Sequence, residues 1–109
     1  MGEAGARLPK QHRSRRTLQR ILRAALELIA QNGVEGTTVG AIARRAGSSV
    51  GSFYARFDGK SDLLRYLDEH IWETVEQQWS EALADGLMDR SIDQLVRGLA
   101  RLYADLDLV

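Results

Sequence analysis

Apolar residues recur along this chain at spacings of three and four, and this pattern predicts helices. The first such stripe ends at an Asn-Gly pair at positions 32 and 33. A glycine at this position is typical of the left-handed backbone that often follows a helix. We therefore predict a first helix that begins at Ser14 and ends at this pair. Its apolar stripe consists of Leu18, Ile21, Leu22, Ala25, Leu28 and Ile29.

A second apolar pattern predicts a short helix directly after Thr38. The Thr38 hydroxyl can accept a free backbone N–H of the first helical turn, so this residue is a good N-cap. Gly47 follows at the point where the helix should end. The apolar face between them consists of Val39, Ile42, Ala43 and Ala46.

Another short helix is predicted from about Val50 to Phe57. Ser49 can cap it, and Phe53 lies one turn before Phe57, so both rings face the same way. Two short helices joined by a glycine-containing turn form a helix-turn-helix, here in residues 38–57. The small side chains left exposed on the second helix suit a duplex groove. On this pattern alone, an ordinary helical hairpin whose arginines are merely solvated is about as good an interpretation as a DNA-binding motif.

Two longer helices are predicted after Asp58-Gly59. One covers residues 61–84, and the other runs from about Ser91 to Ala104. The stripe of the first consists of Leu64, Leu67, Ile71, Val75, Trp79 and Ala82. Off this stripe, His70 and Glu73 are three residues apart on the same helix and could share a metal. Two ligands without a third make a weak metal site, so a solvated charged face is the better interpretation.

The composition narrows the class of protein. The chain of 109 residues contains no cysteine, which excludes disulfides and thiolate metal sites. Charged residues interrupt every apolar run, so we expect no membrane span and a cytoplasmic protein. We find no Ser-His-Asp set, phosphate-binding glycine loop or paired-histidine motif, and therefore expect no enzyme, cofactor or metal site.

The net charge of zero hides a strong asymmetry. Residues 1–57 contain ten basic and three acidic side chains, which give +7, whereas residues 58–109 contain five and twelve, which give −7. The basic part suits phosphates, and the acidic part would be repelled by them. Residues 1–13 show no apolar period, and we interpret them as a flexible basic arm.

The sequence resembles the TetR family of transcriptional regulators over about residues 14–70. The resemblance consists of several segments in the family's order and spacing, which makes it more specific than a single motif. These segments are ILRAALELI at 21–29, Asn32-Gly33, GTTV at 36–39, IARRAG at 42–47, GSFYARF at 51–57, Lys60 and Leu63-Leu64.

The resemblance implies an all-α fold with a three-helix, homeodomain-like head in residues 14–60. Residues 61–109 would then be the first helices of a truncated α-helical domain for ligand binding and dimerisation. The family's chains are roughly twice as long as this one, so the chain would hold the head and the start of the body. Lys60 matches a family lysine that contacts the DNA backbone, and Tyr54 matches a tyrosine whose hydroxyl contacts phosphate.

We therefore predict a sequence-specific DNA-binding regulator, by resemblance a ligand-responsive repressor. Its partners would be a palindromic double-stranded operator, a second copy in the full-length form and a small-molecule effector, with no membrane partner. An alternative is a truncated regulator that acts as an interaction module or inhibitor of a full-length relative. The predicted DNA-binding residues are Thr38, Arg44, Arg45, Ser49, Val50, Gly51, Ser52, Tyr54, Arg56 and Lys60.

Three positions depart from the family's pattern. Gly40 and Val50 stand where relatives often carry polar or charged side chains, and Ser48 replaces a residue that is usually apolar. The base preference is therefore open. Val50 could contact a thymine methyl, and the hydroxyl of Ser49 or Ser52 could bond a base edge or a phosphate.

Overall fold

Five helices follow one another in residues 10–85 and 90–106, the ranges described by the computed structural model. No strand occurs in these ranges, and none of their helices has the length and apolar composition of a membrane span. Only the backbone is described for residues 10–13, 81–82, 85, 90–92 and 106. The predicted all-α class is confirmed. The helices are α1 (Lys10–Asn32), α2 (Val39–Ala46), α3 (Val50–Tyr54), α4 (Lys60–Asp85) and α5 (Arg90–Leu106).

Helix α1 begins at Lys10, so the predicted start at Ser14 was wrong. Residues 10–13, which we had assigned to the flexible arm, continue the helix toward the N-terminus. Lysine, glutamine and arginine are good helix formers, but the apolar period that supported the prediction begins only at Leu18. Residues 10–13 contain no apolar side chain and therefore give no such period. Residues 1–9 lie outside the described ranges, and the division of the chain into arm, head and regulatory segment stays a prediction.

The core of the head lies where α1, α2 and α3 meet. Phe53 of α3 is fully buried, and its ring centroid lies 5.4 Å from that of Phe57. The Phe57 ring in turn packs edge-on against Tyr66 of α4, with centroids 5.6 Å apart. These rings join the helix-turn-helix to the next helix. The other buried residues of this core include Ile21, Leu22, Ala25, Ile42 and Ala46.

Helix α4 has a kink that the sequence did not predict. His70 has the non-helical angles φ −125° and ψ 19°. Beyond it, Ile71 is buried as the stripe predicts, but the next buried side chains up to residue 80 are Thr74 and Gln78. Trp79, which we had placed in the apolar stripe, is 42% exposed. Gln78 accepts a hydrogen bond from α1 there, so a polar contact replaces the predicted apolar one. Trp72 is 69% exposed.

Helix α5 packs against α1 through a backbone contact at Gly98. A Cβ atom added there would lie 2.2 Å from the Leu26 carbonyl oxygen, so only glycine allows this approach. Leu95 and Leu102 on the same helix are buried. The last turn of α5 reaches the loop that leads to α2, where Asp105 accepts a hydrogen bond of 2.7 Å from the Val34 N–H.

Candidate nucleic-acid interface

Local chemistry fixes both ends of α2 as the sequence predicted. The Thr38 hydroxyl accepts the N–H of Ala41 at 3.1 Å. At the other end Gly47 has φ 71°, in the left-handed region. The N–H of Gly47 bonds to the carbonyl of Arg44, and the N–H of Ser48 bonds to that of Ala43, which together form a Schellman motif. This glycine turn sets the direction in which the chain enters α3.

Helix α3 spans Val50–Tyr54 and is shorter than the predicted helix, which extended to Phe57. Its cap is the predicted one, because the Ser49 hydroxyl accepts the Ser52 N–H at 3.0 Å. The N–H groups of residues 56 and 57 both bond to the Phe53 carbonyl, so the chain tightens after Tyr54 and carries Phe57 into the core.

The exposed face of α3 carries apolar surface that no part of the described chain covers. Val50 is 46% exposed and Tyr54 is 51% exposed, while Phe53 between them is fully buried. Gly51 is exposed as well and adds no side chain to the surface. This face is therefore shallow and accessible, and its polar groups are the hydroxyls of Ser49, Ser52 and Tyr54.

The predicted DNA-binding residues fall into two groups by exposure. One group is half-buried and consists of Ser52, Arg56 and Lys60. The other group is exposed and consists of Thr38, Arg44, Arg45, Ser49, Val50, Gly51 and Tyr54. The half-buried residues have structural contacts that sequence reasoning missed.

Arg56 connects the end of α3 to α1. Its guanidinium donates to the carbonyl and hydroxyl oxygens of Ser52 at 2.8 and 2.9 Å, and to the hydroxyl of Ser14 at 3.1 Å. The Nε atom of Arg56 is buried and has no hydrogen-bond partner within the described residues. In this arrangement the side chain braces α3 against α1. We had predicted a direct DNA contact for it.

Lys60 holds the loop between α1 and α2. Its ammonium group donates to the carbonyl oxygens of Val34 at 2.7 Å and Thr37 at 2.9 Å. Thr37 is itself buried and donates its hydroxyl to the Gly33 carbonyl at 2.7 Å. Since an ammonium has three N–H groups, one remains for another acceptor. The phosphate contact predicted for Lys60 would have to use this third N–H.

An acidic side chain, Asp62, lies in the first turn of α4. The Asp62 carboxylate accepts the backbone N–H of Asp58 at 2.9 Å and also pairs with Arg65. The hydrogen bond from Asp58, followed by that from Arg65, lowers the pKa of Asp62 below its usual 3.8. Because this carboxylate is charged at neutral pH, a phosphate near this helix end would meet both a negative charge and the Lys60 ammonium.

Arg45, at the end of α2, pairs with Glu27 of α1 at 2.8 Å. Arg23 pairs with the other carboxylate oxygen at 3.1 Å. Nearby, Arg20 donates to the carbonyl oxygen of Ala46 at 3.1 Å. The spacing of Arg23 and Glu27 by four residues is a signal for their pair in the sequence. The pair between Arg45 and Glu27 depends on tertiary packing and has no such signal.

The described residues contain no group of three or more histidine, cysteine, aspartate or glutamate side chains that could hold a metal ion. The weak candidate from the sequence, His70 with Glu73, forms a contact of 3.6 Å between Nδ1 and a carboxylate oxygen.

Comparison with known proteins finds a family match over the segment that contains the helix-turn-helix. Residues 21–67 match the family model described as bacterial regulatory proteins, tetR family. The HTH-type transcriptional regulator AcrR of Shigella flexneri is 42% identical over 76 residues, which cover 70% of this chain and 33% of AcrR. SrpR of Pseudomonas putida, also an HTH-type transcriptional regulator, is 42% identical over 83 residues, which cover 67% of this chain and 38% of SrpR.

A third relative, the uncharacterized HTH-type transcriptional regulator TtgW of Pseudomonas putida, is 42% identical over 86 residues, which cover 70% of this chain and 63% of TtgW. The chain thus spans less than two thirds of the length of these relatives. No solved structure matches the chain.

Proposed function

By its residues 21–67 this chain belongs to the TetR family of bacterial regulatory proteins, and from this premise we propose that it is a sequence-specific, DNA-binding transcriptional regulator. The observation that supports the proposal most strongly is the exposed face of α3. Val50 and Tyr54 remain exposed there, in the half of the chain with a net charge of +7. A shallow helix face in a basic part of the sequence suits the major groove of a duplex.

In the proposed complex α3 enters the major groove and places Val50 next to the bases. Its methyl groups suit the thymine C5-methyl, and the hydroxyls of Ser49 and Ser52 have acceptor and donor capacity for base edges or phosphates. The absence of a side chain at Gly51 allows the backbone to approach closely. Specificity would then come from this one face of α3.

Phosphate contacts would come from residues around α3. Arg44 and Arg45 at the end of α2, together with the Tyr54 hydroxyl, would fix the register of the head on the duplex. Lys60 would add its third N–H, since the other two hold the loop carbonyls. Arg56 would act by holding α3 against α1.

Regulation would follow from the connection of the head to α4. In a dimer two heads would contact a palindrome with half-sites about one helical turn, roughly 34–36 Å, apart. A small molecule that favours one position of α4 over another would change the spacing of the heads and release the operator. Equal operator affinity with and without every bound ligand would refute this part of the proposal.

The exposed tryptophans of α4 favour a second candidate function. Trp72 and Trp79 are 69% and 42% exposed, and Leu83 on the same helix is 53% exposed. Apolar surface of this kind suits another protein surface. A chain that pairs with a full-length relative through α4 would act as an interaction module or inhibitor without binding an operator itself.

Selection from a random pool of duplex DNA at two salt concentrations distinguishes these functions, with the mass of the chain in solution recorded. We expect enrichment of a common sequence and a steep loss of affinity with salt, since phosphate contacts release counterions. Tyr54→Ala should weaken this binding. No binding at low salt would refute the regulator and favour the interaction module.

A further inference from the structure

A chain of polar contacts joins α4 to α2 across α1. The amide oxygen of Gln78 in α4 accepts from Nη1 of Arg23 at 3.0 Å. The Nε atom of Arg23 donates to one carboxylate oxygen of Glu27 at 3.1 Å. The Nε atom of Arg45 in α2 donates to the other oxygen of Glu27 at 2.8 Å. Four side chains thus connect the long helix to the end of the first helix of the motif.

Two of these four side chains, Gln78 and Glu27, are largely buried, whereas the Arg23 side chain is 33% exposed. Gln78 is 4% exposed, and the Glu27 side chain is 15% exposed. Hydrogen bonds between charged groups are strengthened where water is largely excluded. Arg45 at the outer end is 38% exposed, which leaves its guanidinium partly in solvent.

Glu27 holds Arg45 by one nitrogen only. Its carboxylate takes the Nε–H, and the terminal nitrogens of Arg45 make no hydrogen bond within the described residues. A guanidinium has a fixed planar fork of donors, so a bond at Nε sets the direction of the other two nitrogens. Arg45 therefore presents oriented donors to an outside acceptor, and a phosphate oxygen is the acceptor that suits them.

We propose that Glu27 and Gln78 are positioning residues for DNA binding and that both act through Arg45. The inference rests on the proposed function, in which Arg45 contacts a phosphate. Glu27 orients the guanidinium, and Gln78 keeps Arg23 on the second carboxylate oxygen. An acidic residue in the basic head thereby strengthens the binding of a polyanion.

Through the same contacts, a movement of α4 would change the orientation of Arg45 at the end of α2. If α4 shifts and Gln78 leaves Arg23, the Arg23 guanidinium loses the contact at Nη1 that helps to hold it beside Glu27. The Glu27 carboxylate is then held less firmly, and so is the orientation of Arg45. A displacement of α4 would in this way weaken a phosphate contact of the head without any contact between α4 and the DNA.

Replacement of Glu27 by glutamine tests whether Glu27 positions Arg45. A pure charge effect would raise DNA affinity, whereas loss of positioning would lower it. The probe is random-sequence duplex DNA at low salt, since phosphate contacts do not depend on sequence. Removal of an acid from a basic head should tighten binding if only charge matters, and the exposed Glu35→Gln is the matched control. Positioning predicts that Glu27→Gln weakens binding by about tenfold and lowers the salt slope by about 0.9, the value for one lost phosphate contact.

A mutant cycle with Arg45→Ala tests whether the effect passes through this arginine. In the Arg45→Ala background, Glu27→Gln and Gln78→Ala should each change the dissociation constant by less than about twofold, because interacting residues are not additive. Gln78→Ala alone should weaken binding, whereas Ser80→Ala, at an exposed position of the same helix, should not. Circular dichroism and thermal unfolding confirm that each variant is folded.

Each outcome decides between the two proposals. If the unchanged chain binds no duplex at low salt, the proposed function fails and this inference fails with it. If the unchanged chain binds but Glu27→Gln tightens binding as Glu35→Gln does, or if the cycle is additive, the inference alone is overturned. Should Glu27→Gln not fold, Gln78→Ala with and without Arg45→Ala gives the same decision.

Discussion

The packing of α5 on α1 predicts that Gly98→Ala destabilises the fold. The added Cβ would lie 2.2 Å from the oxygen and 2.8 Å from the carbon of the Leu26 carbonyl group. Both are backbone atoms, so the helices must separate by about 1 Å to reach ordinary van der Waals contact. Overpacking of this kind costs about 1–3 kcal/mol. The greater helix propensity of alanine returns about 1 kcal/mol.

Gly40→Ala is the matched control, because Gly40 also lies inside a helix but a Cβ there meets no atom within 4 Å. The propensity gain of about 1 kcal/mol is common to both variants and cancels in their difference. We expect Gly40→Ala to be more stable than the unchanged chain, and Gly98→Ala to be less stable than Gly40→Ala by about 1–3 kcal/mol in urea unfolding. Equal unfolding free energies of the two variants would refute the close approach of α5 and α1.

Three other contacts give further predictions. Arg56→Lys keeps the charge but cannot bridge Ser14 and α3 with a planar fork, so DNA affinity and thermal stability should fall as far as in Arg56→Ala; full affinity in the lysine variant would contradict the bracing role. Lys60→Met removes two hydrogen bonds to loop carbonyls and should cost about 1–3 kcal/mol in urea unfolding, whereas unchanged stability with weaker DNA binding would make Lys60 a phosphate contact alone. The lowered pKa of Asp62 means that its contribution to stability is present above pH 3.8 and is lost as the pH falls through the folded-state pKa; the difference in melting temperature between the unchanged chain and Asp62→Asn should therefore be largest at neutral pH and disappear in acid, and a difference independent of pH would refute it.

Local signals were enough to predict both ends of α2 and the start of α3. Thr38, Gly47 and Ser49 act on backbone groups within a few residues of themselves, so their roles follow from residue type and spacing alone. The spacing of one turn likewise predicted that Phe53 and Phe57 face the same way, and both rings are buried together. These caps have the predicted form because they depend on neighbouring backbone groups and little on distant parts of the chain.

Tertiary contacts decided the features that the sequence did not show. The buried position of Gln78 depends on Arg23, which is 55 residues away in the chain, and no local period indicates it. The bracing by Arg56 and the loop contacts of Lys60 likewise join segments that are distant in sequence. The residue types of Arg56 and Lys60 suggested phosphate contacts, but acceptors within the protein form hydrogen bonds with most of their N–H groups. The kink at His70 has no proline or glycine beside it that would have predicted it.

Methylation protection with dimethyl sulfate tests most directly whether α3 lies in the major groove. The reagent modifies guanine N7 in the major groove and adenine N3 in the minor groove, so the two grooves give separate signals. On duplex DNA selected by the chain, the account predicts protection at guanine N7, lost in a double variant of Val50→Glu and Tyr54→Ala. Protection at adenine N3 alone, or protection at N7 that survives this variant, would contradict the docking of α3.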